Sequence, residues 1–135
     1  AVWYARGSAR LEAASGKPES LSQSLLRRAI EDLERAHLLN PYSMFPALAL
    51  ADANDALGRF AEAKRAIEDA AKVAPLFAEP RLALALHFHR MRRWAEAEEA
   101  YLWTSSARAG RPDEWFSLYQ QMLRDALSDT SLLEK

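Results

Sequence analysis

The fold is decided by residues 40–75, NPYSMFPALALADANDALGRFAEAKRAIEDAAKVAP. Small and apolar residues recur at helical spacing on both sides of Gly58: Ala47, Leu50 and Ala51 before it, and Ala63, Ile67 and Ala70 after it. Glycine readily adopts the left-handed backbone conformation in which helices commonly end, so Gly58 marks a turn. The small side chains fall where two helices have to approach closely. The stretch therefore predicts two amphipathic helices joined by a short turn.

The same pattern returns along the chain with a period of 34 residues. Ala47, Arg81 and Trp115 occupy equivalent positions (81 − 47 and 115 − 81 both give 34). The same step connects Ala63 with Ala97 in the second helices. Agreement of independent positions on one period indicates a repeated supersecondary unit.

The periodicity predicts an all-α chain. Seven helices are expected at about residues 1–15, 22–39, 43–57, 60–74, 78–91, 94–108 and 112–127. They group into repeats at about 1–41, 42–77 and 78–111, followed by a capping helix at 112–127 and a flexible tail at 128–135. In the capping helix, four residues are expected to cover the third repeat: Trp115, Leu118, Tyr119 and Met122.

Three local features refine this prediction. Ser20 or Ser22 is the predicted N-cap of the second helix, after a loop-forming stretch. The third repeat has Arg92 where the second has Gly58, so a strain on the order of 1 kcal/mol is expected there. Charge pairs four residues apart, such as Arg28 and Asp32, predict a solvated outer face on the second helix.

A helix–turn–helix of about 34 residues with small residues at these positions resembles a tetratricopeptide repeat. Trp3 and Gly7 stand at the family's Trp and Gly positions, and Pro75 follows a second helix. The resemblance covers residues 1–127 and implies a right-handed α–α superhelix of about three helix pairs with a C-terminal capping helix. In this family the first helices of successive repeats line a concave groove, where ligands commonly lie.

The family's groove positions can be transferred to this sequence through the repeat register. The resemblance places the following residues there: Tyr4, Phe45, Leu48, Asp52, Asp55, Glu79, Leu82, Leu86, His89, Phe116 and Gln120. Leu82, Leu86 and Phe116 are apolar residues that the helix pairs do not need for packing, so they are expected to be exposed. Exposed apolar groups rimmed by carboxylates fit an amphipathic helix or extended peptide that carries Lys or Arg among apolar anchors. Self-association, or burial by another part of a longer chain, is the alternative.

Composition argues against several other functions. Lys and Arg number 18 against 19 Asp and Glu in 135 residues, without a basic stripe, so no nucleic-acid partner is predicted. The chain has no Cys, which removes disulfides and thiolate metal sites and leaves the compartment open. Apolar runs are too short for a membrane helix, so direct membrane insertion is not expected. The start at Ala1 is interpreted as that of a piece cut from a longer protein.

The residue types that usually carry chemistry do not combine into a reactive site. His87 and His89 are two apart on a predicted helix and point to different faces, and His37 belongs to another repeat, so each is predicted to be structural or solvent-facing. Glu96, Glu98 and Glu99 predict a solvated helix face. Nucleophile-elbow, phosphate-loop and metal-binding helix motifs do not occur. We predict a non-enzymatic chain with no metal and no cofactor.

Two functional hypotheses follow. The first is a scaffold module that binds a peptide or a partner helix in its groove. The second is a soluble tail domain of a larger bacterial envelope protein, since residues 40–42 (Asn-Pro-Tyr) and the Gly-Arg-x-x-Glu-Ala turn at 58–63 look similar to the tails of O-antigen-ligase-like or polymerase-like membrane proteins. The Ala, Arg and Leu content suits a GC-rich bacterial genome, but it does not distinguish cytoplasm from periplasm.

Overall fold

The computed structural model describes residues 2–105 and 115–129, and the regular elements in these ranges are α-helices. The seven helices are α1 (Val2–Ala14), α2 (Glu19–Leu39), α3 (Met44–Ala56), α4 (Phe60–Val73), α5 (Ala78–Arg90), α6 (Trp94–Ser105) and α7 (Trp115–Ser128). The all-α prediction is confirmed. The predicted end of the sixth helix at 108, the capping-helix start at 112 and most of the tail lie outside the described residues.

The chain divides into two compact units, Ala1–Pro75 and Leu76–Lys135. In the first unit α1 packs on α2, α2 on α3 and α3 on α4. Gly7 shows how closely the helices approach, because a Cβ atom built on it would lie 2.7 Å from Leu33 Cγ. Leu33 is fully buried in a packed interior, so it has little room to give way. Alanines Ala47 and Ala63 are fully buried in α3 and α4 in the same way.

A buried ion pair joins α1 to α2. The Asp32 side chain is 4% exposed. Its carboxylate accepts hydrogen bonds from Arg6 Nη2 at 2.7 Å and Nε at 3.1 Å, and from Arg10 Nη1 at 2.7 Å. The prediction of a solvated outer face is therefore wrong at Asp32. This residue precedes the buried Leu33 and faces α1, and a rule based on spacing within α2 does not register partners on another helix.

The α3–α4 and α5–α6 turns have the same backbone structure. Both contain a left-handed residue, with a φ of 80° at Gly58 and 59° at Arg92. In each turn an N–H group bonds to the carbonyl five residues back: Arg59 to Asn54 at 2.8 Å, and Arg93 to Phe88 at 3.0 Å. This is the Schellman arrangement, which satisfies carbonyls left open at a helix C-terminus. The predicted departure of Arg92 from ordinary backbone geometry is confirmed.

The start of α2 differs from the prediction. The helix begins at Glu19 after Pro18, and no side chain caps it. The N–H of Ser22 already bonds to the Pro18 carbonyl at 2.8 Å, so Ser22 lies inside the helix and is not its N-cap. Proline immediately before the first turn limits the backbone conformations available there, which explains the earlier start.

The second unit has one hydrophobic core formed by α5, α6 and α7. Its buried members are Leu82, Ala85, Phe88, Ala97, Ala100, Tyr101 and Met122. Met122 belongs to α7, and Trp115, Leu118 and Tyr119 of the same helix pack against this core. The predicted packing face of the last helix is confirmed.

The two matched turns generate a stability prediction. Arg92→Gly is expected to raise the free energy of unfolding by about 1 kcal/mol, because glycine adopts a positive φ without steric cost. The reverse test is Gly58→Ala, which should lower it by a similar amount. A Cβ atom at Gly58 meets nothing within 4 Å, so a clash would not complicate that result. Urea denaturation checks both, and an unchanged Arg92→Gly protein would contradict the predicted strain.

The Asp32 contacts predict a dependence of stability on pH. Hydrogen bonding from Arg6 holds the pKa of Asp32 below its usual value. Such a carboxyl stabilises the fold above its unfolded-state pKa of about 3.9, and this contribution is lost as pH falls through the folded-state pKa. Asp32→Asn should therefore be less stable than wild type at neutral pH, with the difference shrinking in acid. Urea denaturation across this range tests it. Glu34→Gln, at an exposed position of α2, serves as control, and a pH-independent difference for Asp32→Asn would contradict the assignment.

Candidate peptide-binding surface

On the first unit, α3 carries a stripe of predicted groove residues on one side. Phe45 is 53% exposed, Leu48 is half-buried and Asp52 is exposed. Their spacing of three and four residues places them above one another on the helix. Tyr4 of α1 is half-buried, and α1 also contacts α3. We call Tyr4, Phe45, Leu48 and Asp52 the α3 patch.

The start of α3 fixes the position of the aromatic residue in this patch. The Ser43 side chain accepts a hydrogen bond from the Phe45 backbone N–H at 3.4 Å and is the N-cap of the helix. Serine is among the residues that cap helices best. Phe45 therefore stands in the first turn of a capped helix, a placement that restricts its backbone.

Asp55 does not belong to the exposed part of the predicted groove. The repeat register places it beside Asp52, but it is only 7% exposed. It follows the buried Ala51 by one helical turn, so the packing that covers Ala51 also covers this position. The expectation that Asp55 lines an open groove is corrected.

The second unit contradicts the predicted exposure of two leucines. Leu82 is 8% exposed and is a member of the core, and Leu86 is half-buried and packs against that core. The prediction assumes that packing leaves one side of α5 unused. Most of the circumference of this helix is buried, at Ala78, Pro80, Leu82, Ala85, His87 and Phe88. Leu82 and Leu86 are therefore packing residues.

His89 joins three helices. Its Nε2 lies 2.7 Å from Asp125 Oδ2 of α7, and its Nδ1 lies 3.0 Å from the Tyr101 hydroxyl of α6. The hydrogen bond from His89 lowers the pKa of Asp125, which is therefore an ionised acceptor at neutral pH, and Nε2 carries the proton. Burial raises the pKa of Tyr101 to about 12, so its hydroxyl stays protonated and donates to Nδ1. The ring is occupied within this unit, as the predicted structural role of His89 requires.

The remaining predicted groove residues of the second unit differ in exposure. Phe116 of α7 is 51% exposed, and Gln120, one turn further along, is also exposed. We call these two residues the α7 patch. Glu79 is half-buried, and its Oε2 is buried without a hydrogen-bond partner among the described residues. The exposed aromatic residue predicted on the last helix is confirmed.

Sequence reasoning did not detect the polar contacts that hold α7 in place. His89 and Asp125 are 36 residues apart, and Trp94 Nε1 donates to Asp129 Oδ2 at 2.6 Å across 35 residues. Pairs this distant leave no spacing signal in a single sequence. Within the described ranges, no three His, Cys, Asp or Glu residues form a group that could hold a metal ion.

Comparison of the sequence with models of protein families, and with curated proteins, finds no match. Among residues 2–105 and 115–129, no helix has the length and apolar character needed to cross a membrane. The candidate surface is therefore evaluated from its own residues.

The contrast between Leu82 and Phe116 gives a direct test of the revised assignment. Leu82→Ala is expected to lower the free energy of unfolding by about 2–5 kcal/mol, because it opens a cavity in the core. Phe116→Ser in the same unit should change it by about 0.5 kcal/mol or less, as is usual for surface positions. Urea denaturation of both variants measures this difference. A stability loss for Leu82→Ala as small as that for Phe116→Ser would restore the original placement of Leu82.

Proposed function

We propose that the chain is a non-catalytic protein-interaction module of the tetratricopeptide-repeat type that binds a peptide or a partner helix through the α3 patch. The repeated boundaries support this kind of fold. Both ends of α3 and α5 differ by 34 residues (78 − 44 and 90 − 56), and so do the starts of α4 and α6 (94 − 60). The matching turns at Gly58 and Arg92 add to that support.

The observation that carries the functional proposal is the distribution of side chains around α3. This helix buries small residues such as Ala47 and Ala53, yet it leaves the aromatic ring of Phe45 more than half exposed. Burial of large apolar side chains drives folding, so an exposed aromatic on a well-packed helix indicates a surface used for something else. Aromatic residues are also enriched among the anchors of protein interfaces.

The patch also defines the kind of peptide that fits. Phe45 and Asp52 are seven residues apart on one side of α3, which corresponds to about 10 Å along the helix. A helical ligand with an apolar residue and a Lys or Arg seven positions apart spans this distance, and so does an extended peptide with three positions between them. The apolar group would contact Phe45 and Leu48, and the cation would lie near Asp52.

Selection from a peptide library displayed on phage, with the immobilised chain as bait, tests this function. We expect peptides that combine an apolar anchor with Lys or Arg at one of these two spacings. The affinity of a selected peptide should fall at least about tenfold in Phe45→Ser, the loss expected for a central anchor residue. Fluorescence anisotropy with the labelled peptide measures it.

The matched control is Leu127→Ser, because Leu127 is 89% exposed but lies on α7 in the second unit. It should leave the affinity of the selected peptide unchanged. Circular dichroism of both variants verifies that the helices are intact. The proposal would be wrong if no peptide is enriched, or if enriched peptides bind Phe45→Ser as tightly as wild type.

A further inference from the structure

The first unit has a second concave surface that does not involve the α3 patch. It is a cleft of about 600 Å³ between α2 and α3, lined by Glu31, Glu34, Arg35, His37, Leu38 and Leu50. An adjoining cleft of about 230 Å³ shares Glu34 and Leu50 and continues along α4. Leu50 lies about half a helical turn away from Leu48 around the axis of α3, so the cleft and the α3 patch are on different sides of that helix.

The walls of the larger cleft combine apolar and acidic groups. Leu50 is almost fully buried at its base, whereas Leu38 is largely exposed. Glu31 and Glu34 are exposed and three residues apart, which brings them to the same side of α2. The volume is within the range of ligand-binding sites. An occupant needs an apolar portion for the leucines and a positive charge for the carboxylates.

The one arginine that lines the larger cleft is engaged elsewhere. The Arg35 guanidinium carbon lies 4.9 Å from the centre of the Trp3 ring, in cation–π geometry. Arg6 lies 4.8 Å from the centre of the same ring. Arg35 is therefore directed toward α1, and Glu31 and Glu34 set the charge of the cleft.

His37 supplies an independent observation. Its Nδ1 is buried and has no hydrogen-bond partner among the described residues, while its Nε2 faces Asp69 Oδ2 of α4 at 3.8 Å. A carboxylate can only accept, so the proton of the neutral ring belongs on Nε2 and Nδ1 is an acceptor. A buried acceptor without a donor is unfavourable, and a ligand N–H group would relieve that cost.

We propose that this cleft binds the side chain of an arginine from a partner peptide. The aliphatic stem lies against Leu38 and Leu50, and the guanidinium donates to Glu31, Glu34 and His37 Nδ1. Arginine suits the cleft because its planar guanidinium carries five N–H donors and can serve several acceptors at once. The site is distinct from the α3 patch, so it provides a second point of contact with a protein partner.

Nuclear magnetic resonance titration of the full chain with N-acetyl-arginine methylamide tests the site. We expect saturable shifts of the His37 ring signals and of the Leu38 and Leu50 methyl groups. The matched probe is N-acetyl-citrulline methylamide, which has nearly the same shape but no charge, and it should produce no saturable shift. Glu34→Gln should weaken binding of the arginine probe by about tenfold, the loss expected for a charged hydrogen-bond acceptor.

Two control variants establish whether binding depends on the carboxylates of this cleft in particular. Glu68→Gln removes an exposed carboxylate of α4 that lines neither cleft, and it should leave binding unchanged. Phe45→Ser should also leave it unchanged, so failure of the α3 patch and failure of this cleft are distinguishable. The proposal is overturned if the arginine probe causes no saturable shift, if citrulline binds equally well, or if Glu34→Gln and Glu68→Gln have the same effect.

Discussion

The close approach of neighbouring helices is the constraint on which each unit depends. Helices can come together only where the side chains between them are small, and Gly7, Ala63 and Ala97 occupy such points without exposed surface or with almost none. A glycine or alanine contact contributes little apolar area by itself. Stability is therefore spread over many such contacts, and larger residues such as Leu33 and Tyr101 fill the space beside them.

Contacts between small residues give two helices little to fix their relative position, and polar groups supply what is missing. In the first unit, Asp32 receives hydrogen bonds from two arginines of α1. In the second, His89 binds Asp125, and Trp94 binds Asp129, each across two helices or at a helix end. Hydrogen bonds to ionised groups are directional and stronger than those between neutral groups, so they fix a relative position that apolar packing alone leaves loose.

The sequence predicted best what is encoded within a few neighbouring residues. The starts and ends of α3 and α5 lie within one residue of the predictions, because Gly58 and the 34-residue period mark them. Features that depend on distant partners were missed. Asp32 has its partners on another helix, and the environment of Leu82 depends on how α6 and α7 cover α5. Transferring groove positions by register assumes that every repeat leaves the same side uncovered, and the second unit does not satisfy that assumption at Leu82.

Comparison of equivalent positions in the two units indicates where recognition can vary. Ala51 and Ala85 are equivalent in the 34-residue register and both are buried, as are Ala63 and Ala97. The contact between helices permits little else there.

Positions outside that contact differ in chemistry as well as in exposure. Phe45, an exposed aromatic, corresponds to Glu79, a half-buried acid, and the exposed Asp52 corresponds to the half-buried Leu86. Packing thus fixes the inner positions and allows the outer ones to differ, so a scaffold of this kind acquires a specific partner through residues that its fold does not require. In this chain such variation is least constrained at Phe45 and Asp52, and the same reasoning excludes Leu82, because the core of the second unit already uses it.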